Sequence, residues 1–313
     1  MKVAVLCPGQ GAQYPGMLSR MAADPVVSSV IAHASTLIGS DLFDLETEDS
    51  LRRTYAVQLC TFTAAVAANT ALERFGIVPD VVAGLSVGVF AAAVICGAMR
   101  FETALEMVMM RARLMEEERP HGYGLSAILG LSEPQVLDAI RSYNSLQTRV
   151  FIASVNAPSE IVIAGDNEAL SQVCAHARRL GALSVKRLKT AVPSHCPLLA
   201  ETARRLRLQL AQTELLTPRM PYMSSVRGSI LTEPKAILED LAASIERPVR
   251  WYEGIAGLFE RGIRLYIEMP PGNKLSNLIT QQWGEARSIA VESNSLEHIA
   301  DIVIYLQEQL NTF

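Results

Sequence analysis

Three residues of this chain have the types and surroundings for nucleophilic chemistry and anion binding: Ser86, His195 and Arg111. Ser86 lies in Gly84-Leu85-Ser86-Val87-Gly88, a G-x-S-x-G sequence with a β-branched apolar run before it and an Ala-rich run after it. A strand that turns abruptly into a helix at such a sequence holds the serine on a strained, exposed bend. The glycines on either side let the two backbones pass closely. The pentapeptide alone occurs often by chance; the buried strand before it and the helix after it make the nucleophile elbow the better reading. The next N–H, that of Val87, opens the helix and points at any oxyanion formed on the serine.

A serine nucleophile needs a base. Of the five histidines, His33, His176 and His298 fall on helical patterns, and His121 lies in a Pro/Gly-rich stretch. His195 stands in Val192-Pro193-Ser194-His195-Cys196-Pro197, a proline-bounded turn. A turn of this kind at a domain junction faces a cleft, which suits a general base. Alone, His195 reads as structural; with an elbow serine upstream, the balance reverses. Arg111 lies on a helical pattern whose facing neighbours are Ala104, Met107, Val108, Leu114 and Met115, whereas Arg113 has Glu116 and Glu117 within one turn. A buried guanidinium without an anionic partner is costly. The pattern alone slightly favours an internal ion pair with an Asp or Glu; the functional alternative is a fork for a substrate carboxylate.

The elements that must position these residues follow from the apolar periodicity. Lys2–Leu6 is a short buried strand that ends at Pro8-Gly9-Gln10-Gly11, and helices are expected near 25–37, 57–75 and 101–118. The uncharged run Val81–Met99 is long enough for a membrane span. Its three glycines and β-branched first half make it a buried strand followed by a buried helix instead. From Pro120 the order becomes strand 125–129, helix 133–143, strand 150–155, strand 160–164, helix 167–180 and strand 183–188. That β-α-β-β-α-β order is the ferredoxin-like split unit. A helix near 197–213, a strand near 264–268 and a terminal helix near 296–310 then resume the first rhythm. The predicted fold is α/β: an α/β-hydrolase-like large domain with a parallel sheet, residues 1–122 and 191–313, carrying a small inserted ferredoxin-like domain at 123–190.

Composition sets the outer bounds. The chain has 313 residues, 50% hydrophobic and 19% charged, enough for a sizeable core and against disorder. A net charge of −4 argues against generic nucleic-acid binding. Met1–Cys7 is too short for a secretory core, and the five cysteines are odd in number and without C-x-x-C spacing. Metal and disulfide roles are therefore not expected, no bound cofactor is expected, and a cytoplasmic, membrane-free setting is the default.

Several further motifs join these residues. They are Pro8-Gly9-Gln10-Gly11-Ala12-Gln13, Arg111-Ala112-Arg113-Leu114-Met115, Val155-Asn156-Ala157-Pro158, Pro193-Ser194-His195-Cys196, Arg247-Pro248-Val249-Arg250-Trp251 and Glu268-Met269-Pro270-Pro271-Gly272-Asn273-Lys274. Each is weak by itself, but in this order and spacing the chain resembles the malonyl-CoA:acyl-carrier-protein transacylases over essentially its whole length. The resemblance implies that Ser86 is acylated, that His195 is the general base, and that Arg111 binds the malonyl carboxylate. It also implies an oxyanion hole of the Gln10 and Val87 N–H groups, a pocket role for Asn156, and a main-chain carbonyl, that of Ser244, orienting His195. The implied substrates are malonyl-CoA and an acyl carrier protein with a phosphopantetheine-type arm. A thioester is already activated, so a Ser–His pair without a buried carboxylate suffices.

Three positions depart from the pattern of the fatty-acid members. Leu85 stands where histidine usually precedes the serine, and Val89 where an acidic residue usually follows the second glycine; Pro270 also replaces a usual glycine. The leucine-containing elbow looks more like the transacylase subunit associated with malonate decarboxylase, which loads a small carrier subunit bearing a prosthetic group related to dephospho-CoA. Alternatives are malonyl loading of a fatty-acid or polyketide carrier, a serine thioesterase or hydrolase, and a non-catalytic carrier-docking module. No obvious acid stands out in the Ser–Asp–His order a hydrolase elbow calls for, and Arg111 also speaks against that class. A basic cluster, Arg178, Arg179, Lys186, Arg187 and Lys189 before His195 and Arg204, Arg205 and Arg207 after it, is the expected docking surface for an acidic carrier.

Overall fold

Lys2–Cys7 (β1) buries every residue after Lys2, which a strand can do only with neighbours on both edges and layers on both faces. The computed structural model, which describes residues 2–119, 121–143, 149–190 and 192–310, supplies both. Chain order continues with helices Pro25–Ile38 (α1) and Thr54–Glu73 (α2), strand Val81–Gly84 (β2), and helices Gly88–Ile95 (α3) and Phe101–Glu118 (α4). Next come Tyr123–Leu129 (β3), Glu133–Arg141 (α5), Val150–Ala157 (β4), Glu160–Asp166 (β5), Asn167–Arg179 (α6) and Ser184–Arg187 (β6). The remainder is Ala200–Leu210 (α7), Tyr222–Met223 (β7), Ile230–Leu231 (β8), Pro234–Ala243 (α8), Trp251–Glu260 (α9), Ile263–Glu268 (β9), Lys274–Gln282 (α10), Arg287–Ala290 (β10) and Leu296–Leu310 (α11).

The chain is a mixed α/β fold with two sheets. One has six strands in the order β10-β9-β1-β2-β7-β8, parallel except for the terminal β7–β8 pair. The uncharged Val81–Met99 run divides into β2, the elbow and α3, so it packs inside the protein. Among the described residues one helix, α2, is long and apolar enough to cross a membrane, and 89% of its apolar window is buried against the rest of the chain. Its small Ala, Cys and Thr residues let α1, α3 and α4 approach closely.

The other sheet has four strands in the order β4-β5-β3-β6, antiparallel throughout. Helices α5 and α6 cover one face around Val136, Ile140, Leu170 and Val173. The order β-α-β-β-α-β expected over this region is present; residue 191, the expected junction, lies outside the described residues. Strand β4 of this sheet is joined to the segment before α9 by a short parallel bridge, where Val155 donates to the Val249 carbonyl (2.9 Å) and Val249 to the Ala153 carbonyl (2.9 Å). Arg250 adds an ion pair to Glu133 on α5 at 2.9 Å.

Two expectations need correction. The helix expected at 197–213 is a 3-10 turn, Pro197–Leu199, followed by α7, because the proline pair around the turn leaves the preceding segment extended. The segment between α7 and β9 holds β7, β8, α8 and α9, where the sequence reading placed no element. Strands of two residues carry no period to detect.

Candidate active site

The elbow forms because its glycines are needed at two close contacts. A Cβ on Gly84 would lie 2.4 Å from the Gly88 carbonyl oxygen, and one on Gly88 would lie 2.2 Å from the Cys7 oxygen. Strand β1, strand β2 and helix α3 therefore converge more tightly than any side chain permits. Ser86 then takes φ 56, a left-handed conformation rare outside glycine. His195 does the same at φ 64. Two non-glycine residues in this strained region, both facing one cleft, mark a site held in place by its surroundings.

The cleft lies between the two sheets, with Gln10, Leu85, Ser86, Asn156, Leu188, Thr190, His195, Val249 and Lys274 in its wall. Its free space is about 70 Å³, while a separate cleft near Tyr14, Arg20, Phe75 and Glu292 offers about 580 Å³ and holds none of Ser86, His195 or Arg111. The small space is the chemically relevant one, because the reactive groups converge there. His195 Nε2 is 3.0 Å from Ser86 Oγ, and its Nδ1 is 2.5 Å from the Ser244 carbonyl oxygen. A carbonyl only accepts, so Nδ1 carries the proton and Nε2 is left to accept from the serine hydroxyl. Ser244 is the C-cap of α8, so the imidazole also faces the negative end of a helix dipole. The His195 N–H donates to the Ile245 carbonyl at 2.8 Å, fixing the backbone below the ring.

Arg111 is fully buried on α4. Its Nη2 reaches Ser86 Oγ at 3.4 Å, while Nε and Nη1 have no hydrogen-bond partner among the described residues. The internal carboxylate that the helical pattern favoured is absent: among the described residues no Asp or Glu pairs with Arg111. Burial pushes its guanidinium down to about 9, still cationic at neutral pH. A buried cation with two unpartnered donors thus lies beside the nucleophile, its third nitrogen within reach of Ser86 Oγ, and a carboxylate is the partner such a fork lacks.

Burial, and then the Arg111 charge, push His195 down to about 4, against the opposing pull of the Ser244 carbonyl. The imidazole is therefore the free base at neutral pH, ready to take a proton. Val87 is the N-cap of α3, so its N–H has no partner within the helix. The Gln10 segment packs on the elbow, since a Cβ on Gly9 would meet Leu85 and Ser86 at 2.7 to 2.9 Å. Asn156 accepts from Ser154 Oγ (2.6 Å) and donates to Glu160 (2.9 Å), which faces Lys274 Nζ at 3.8 Å across the gap between the sheets.

Sequence reasoning passed over Lys274 and Glu160 beside the cleft, and also a buried polar residue away from its wall, Gln58. Gln58 is buried on α2, donates to Met115 Sδ at 3.3 Å, and leaves its Oε1 without a partner. A glutamine inside an otherwise apolar helix was the available signal. The expected basic surface is smaller than its residue list. Arg204 pairs with Glu201, Arg207 with Glu239 and Glu246, Arg179 donates to Tyr143, and Arg187 to Asn167. Arg178, Lys186, Lys189 and Arg205 make no ion pair among the described residues, and Leu188 and Thr190 beside Lys189 line the cleft.

With this geometry in view, comparison with known proteins is decisive. The acyl transferase domain family matches residues 5–296. This chain belongs to the acyl transferase family. Its relatives include the malonyl CoA-acyl carrier protein transacylase of Salmonella typhimurium, 33% identical over 88% of this chain and 91% of the relative. The Bacillus subtilis protein of the same name is 31% identical over 93% of each. Among solved structures, the transacylase of Coxiella burnetii superposes with a TM-score of 0.91 at 33% identity, covering 96% of both chains. A malonyl-transacylase solved in complex with a type II polyketide acyl-carrier protein gives a TM-score of 0.91 at 30% identity over 96% of this chain and 99% of that one.

The electrostatics of this acyl transferase cleft set an expected titration. The His195 ring-proton resonance should titrate well below the ordinary 6.5, because burial and the neighbouring cation both oppose the imidazolium. Removing that cation in Arg111→Ala should move the midpoint upward. An unshifted midpoint near 6.5 in the wild-type protein, followed by NMR, would contradict the buried placement.

Proposed function

We propose that this protein transfers a malonyl group from malonyl-CoA, through an ester on Ser86, to the thiol of an acyl carrier protein. The observation that carries this reading is Arg111, a fully buried cation with two unpartnered donors next to the nucleophile. An acyl group ending in a carboxylate supplies the missing partner, whereas an acetyl group leaves it missing. The names of the relatives point the same way.

Chemically, Ser86 gives its proton to His195 Nε2 as Oγ attacks the thioester carbonyl. The oxyanion is met by the N–H groups of Gln10 and Val87. The carbon–sulfur bond breaks, and His195 returns the proton to the departing CoA sulfur. In the second half the carrier's thiol gives a proton to His195 and attacks the ester carbonyl; Ser86 leaves and is reprotonated. Ser244 holds the imidazole in one tautomer throughout, and Asn156 contributes to the wall beside the thioester. We read the architecture as an α/β-hydrolase-like domain (1–122, 191–313) with a ferredoxin-like insert (123–190), whose cleft receives the carrier's arm. Leu85 and Val89 in the elbow favour the carrier subunit of a malonate decarboxylase as acceptor. Side-by-side transfer assays with that carrier and with a fatty-acid carrier separate this from general malonyl loading.

Incubation with malonyl-CoA should add one malonyl group to the intact protein, and Ser86→Ala should abolish the adduct. An adduct that persists in the alanine variant removes Ser86 from the mechanism.

Loss of a charge-assisted, bidentate contact costs on the order of 2–4 kcal/mol in transition-state binding, roughly 30- to 1000-fold in rate. Arg111→Ala should therefore impair malonyl transfer by about that factor and acetyl transfer far less. Equal losses, measured as kcat/KM for the two CoA esters, would make Arg111 a structural residue.

Carrier docking rests on the cations left unpaired beside the cleft. Lys186→Glu with Lys189→Glu should slow transfer to the carrier and weaken its salt dependence, while Ser86 acylation by malonyl-CoA stays intact. If both half-reactions fell together, the carrier would dock elsewhere.

A further inference from the structure

Asp240, on α8, is a buried carboxylate with no cationic partner among the described residues. It accepts hydrogen bonds from the Tyr222 hydroxyl (2.9 Å), the Ser224 hydroxyl, the Ser225 N–H (3.2 Å) and the Val226 N–H (3.2 Å). Burying an ionisable group among dipoles alone is unfavourable unless every acceptor site is met, so this cluster is rigid by necessity. Its place in the fold gives the rigidity a use. Tyr222 lies on β7, the strand paired with the nucleophile's own strand, in register with Val82 of β2. One helical turn beyond Asp240, Ser244 donates its N–H to the Asp240 carbonyl at 2.8 Å and offers its own carbonyl to His195.

These contacts form a closed circuit. It runs from Ser86 down β2, across the ladder to Tyr222, through the hydroxyl to Asp240, along the last turn of α8 to Ser244, and through His195 Nδ1 and Nε2 back to Ser86 Oγ. The two reactive atoms sit 3.0 Å apart on residues far apart in sequence and both in strained conformations. Such a separation is not set by local geometry and must be imposed by the circuit. Asp240 is the link in it that joins sheet to helix.

We propose that Asp240 is a positioning residue: by tying the strand beside the nucleophile's strand to the helix whose terminal carbonyl holds the imidazole, it fixes the distance between Ser86 and His195. This rests on the roles proposed for those two residues. In Asp240→Asn one acceptor oxygen becomes a donor facing donors, so the cluster must rearrange and the last turn of α8 shift with it. A displacement of about 1 Å between reacting groups costs on the order of a hundred-fold in rate.

The test compares Asp240→Asn with wild type in three measurements on the full-length protein. The rate of Ser86 acylation should fall by roughly ten- to a hundred-fold, both with malonyl-CoA and with a small neutral ester that makes no use of Arg111. The affinity for malonyl-CoA, measured in a Ser86→Ala background, should change by less than about twofold. The imidazole N–H resonance of His195, moved downfield by its short bond to Ser244, should shift upfield or broaden. If Asp240→Asn fails to fold, Tyr222→Phe and Ser224→Ala, each removing one donor, should show the same pattern in milder form. Unchanged acylation with an unchanged resonance would overturn the proposal, as would a parallel loss of malonyl-CoA affinity. Failure of the wild-type protein to label at Ser86 would instead overturn the underlying reading, so the two failures are distinguishable.

Discussion

The structure is organised around a positive charge with no counter-ion. Burying Arg111 on α4 without a carboxylate beside it costs free energy, and the surrounding apolar packing of α2, α3 and α4 supports that cost. Burial first, and then this same charge, lower His195 and keep the base neutral. On the function proposed above, an acyl group bearing a carboxylate would supply the guanidinium's missing partner and offset its field at the imidazole, and an acetyl group would do neither.

Much of this arrangement was legible in the chain. Gly84 and Gly88 announced the elbow because a close backbone approach leaves a compositional trace that no other residue can supply. The proline-bounded turn at His195 and the apolar helix face around Arg111 were visible for similar reasons, since a mismatch between residue type and surroundings is a local signal. What remained hidden was long-range. Whether a carboxylate elsewhere paired with Arg111 depended on every acid in the chain, and sequence periodicity slightly favoured the wrong answer. The basic cluster shrank for the same cause: Arg204 and Arg207 found Glu201, Glu239 and Glu246, partners that charge counting along the sequence did not weigh. The two-residue strands β7 and β8 could not be read, although β7 carries one of the bonds that hold α8 in place.

Strain and burial are distributed unevenly over the site. Ser86 and His195 both hold backbone conformations that cost of order 1–3 kcal/mol each. Neither is relieved locally. The contacts that sustain them lie in β1 after Lys2, in β2 and at the end of α8, all buried, while Lys274 on the cleft wall has half its side chain exposed and faces Glu160 at 3.8 Å. The strained pair is thus anchored in packed elements, and the wall of its cleft includes a solvent-exposed side chain.

The pairing of β1 with β9 carries a consequence for the order in which the molecule can be made. β1 leaves the ribosome long before Ile263–Glu268, on which one of its edges waits. Until then the apolar strand has only β2 beside it, and α2 has been released without the C-terminal helix that later packs on it. The four-stranded sheet, by contrast, draws its ladder partners from a single stretch of chain and has all of them well before that point. A half-made chain therefore holds the four antiparallel strands together with an unfinished, exposed hydrophobic sheet. The nascent protein is most prone to aggregation in the interval before β9 emerges, and a chain truncated there would hold Ser86 and His195 but lack the strand that completes the sheet beneath them.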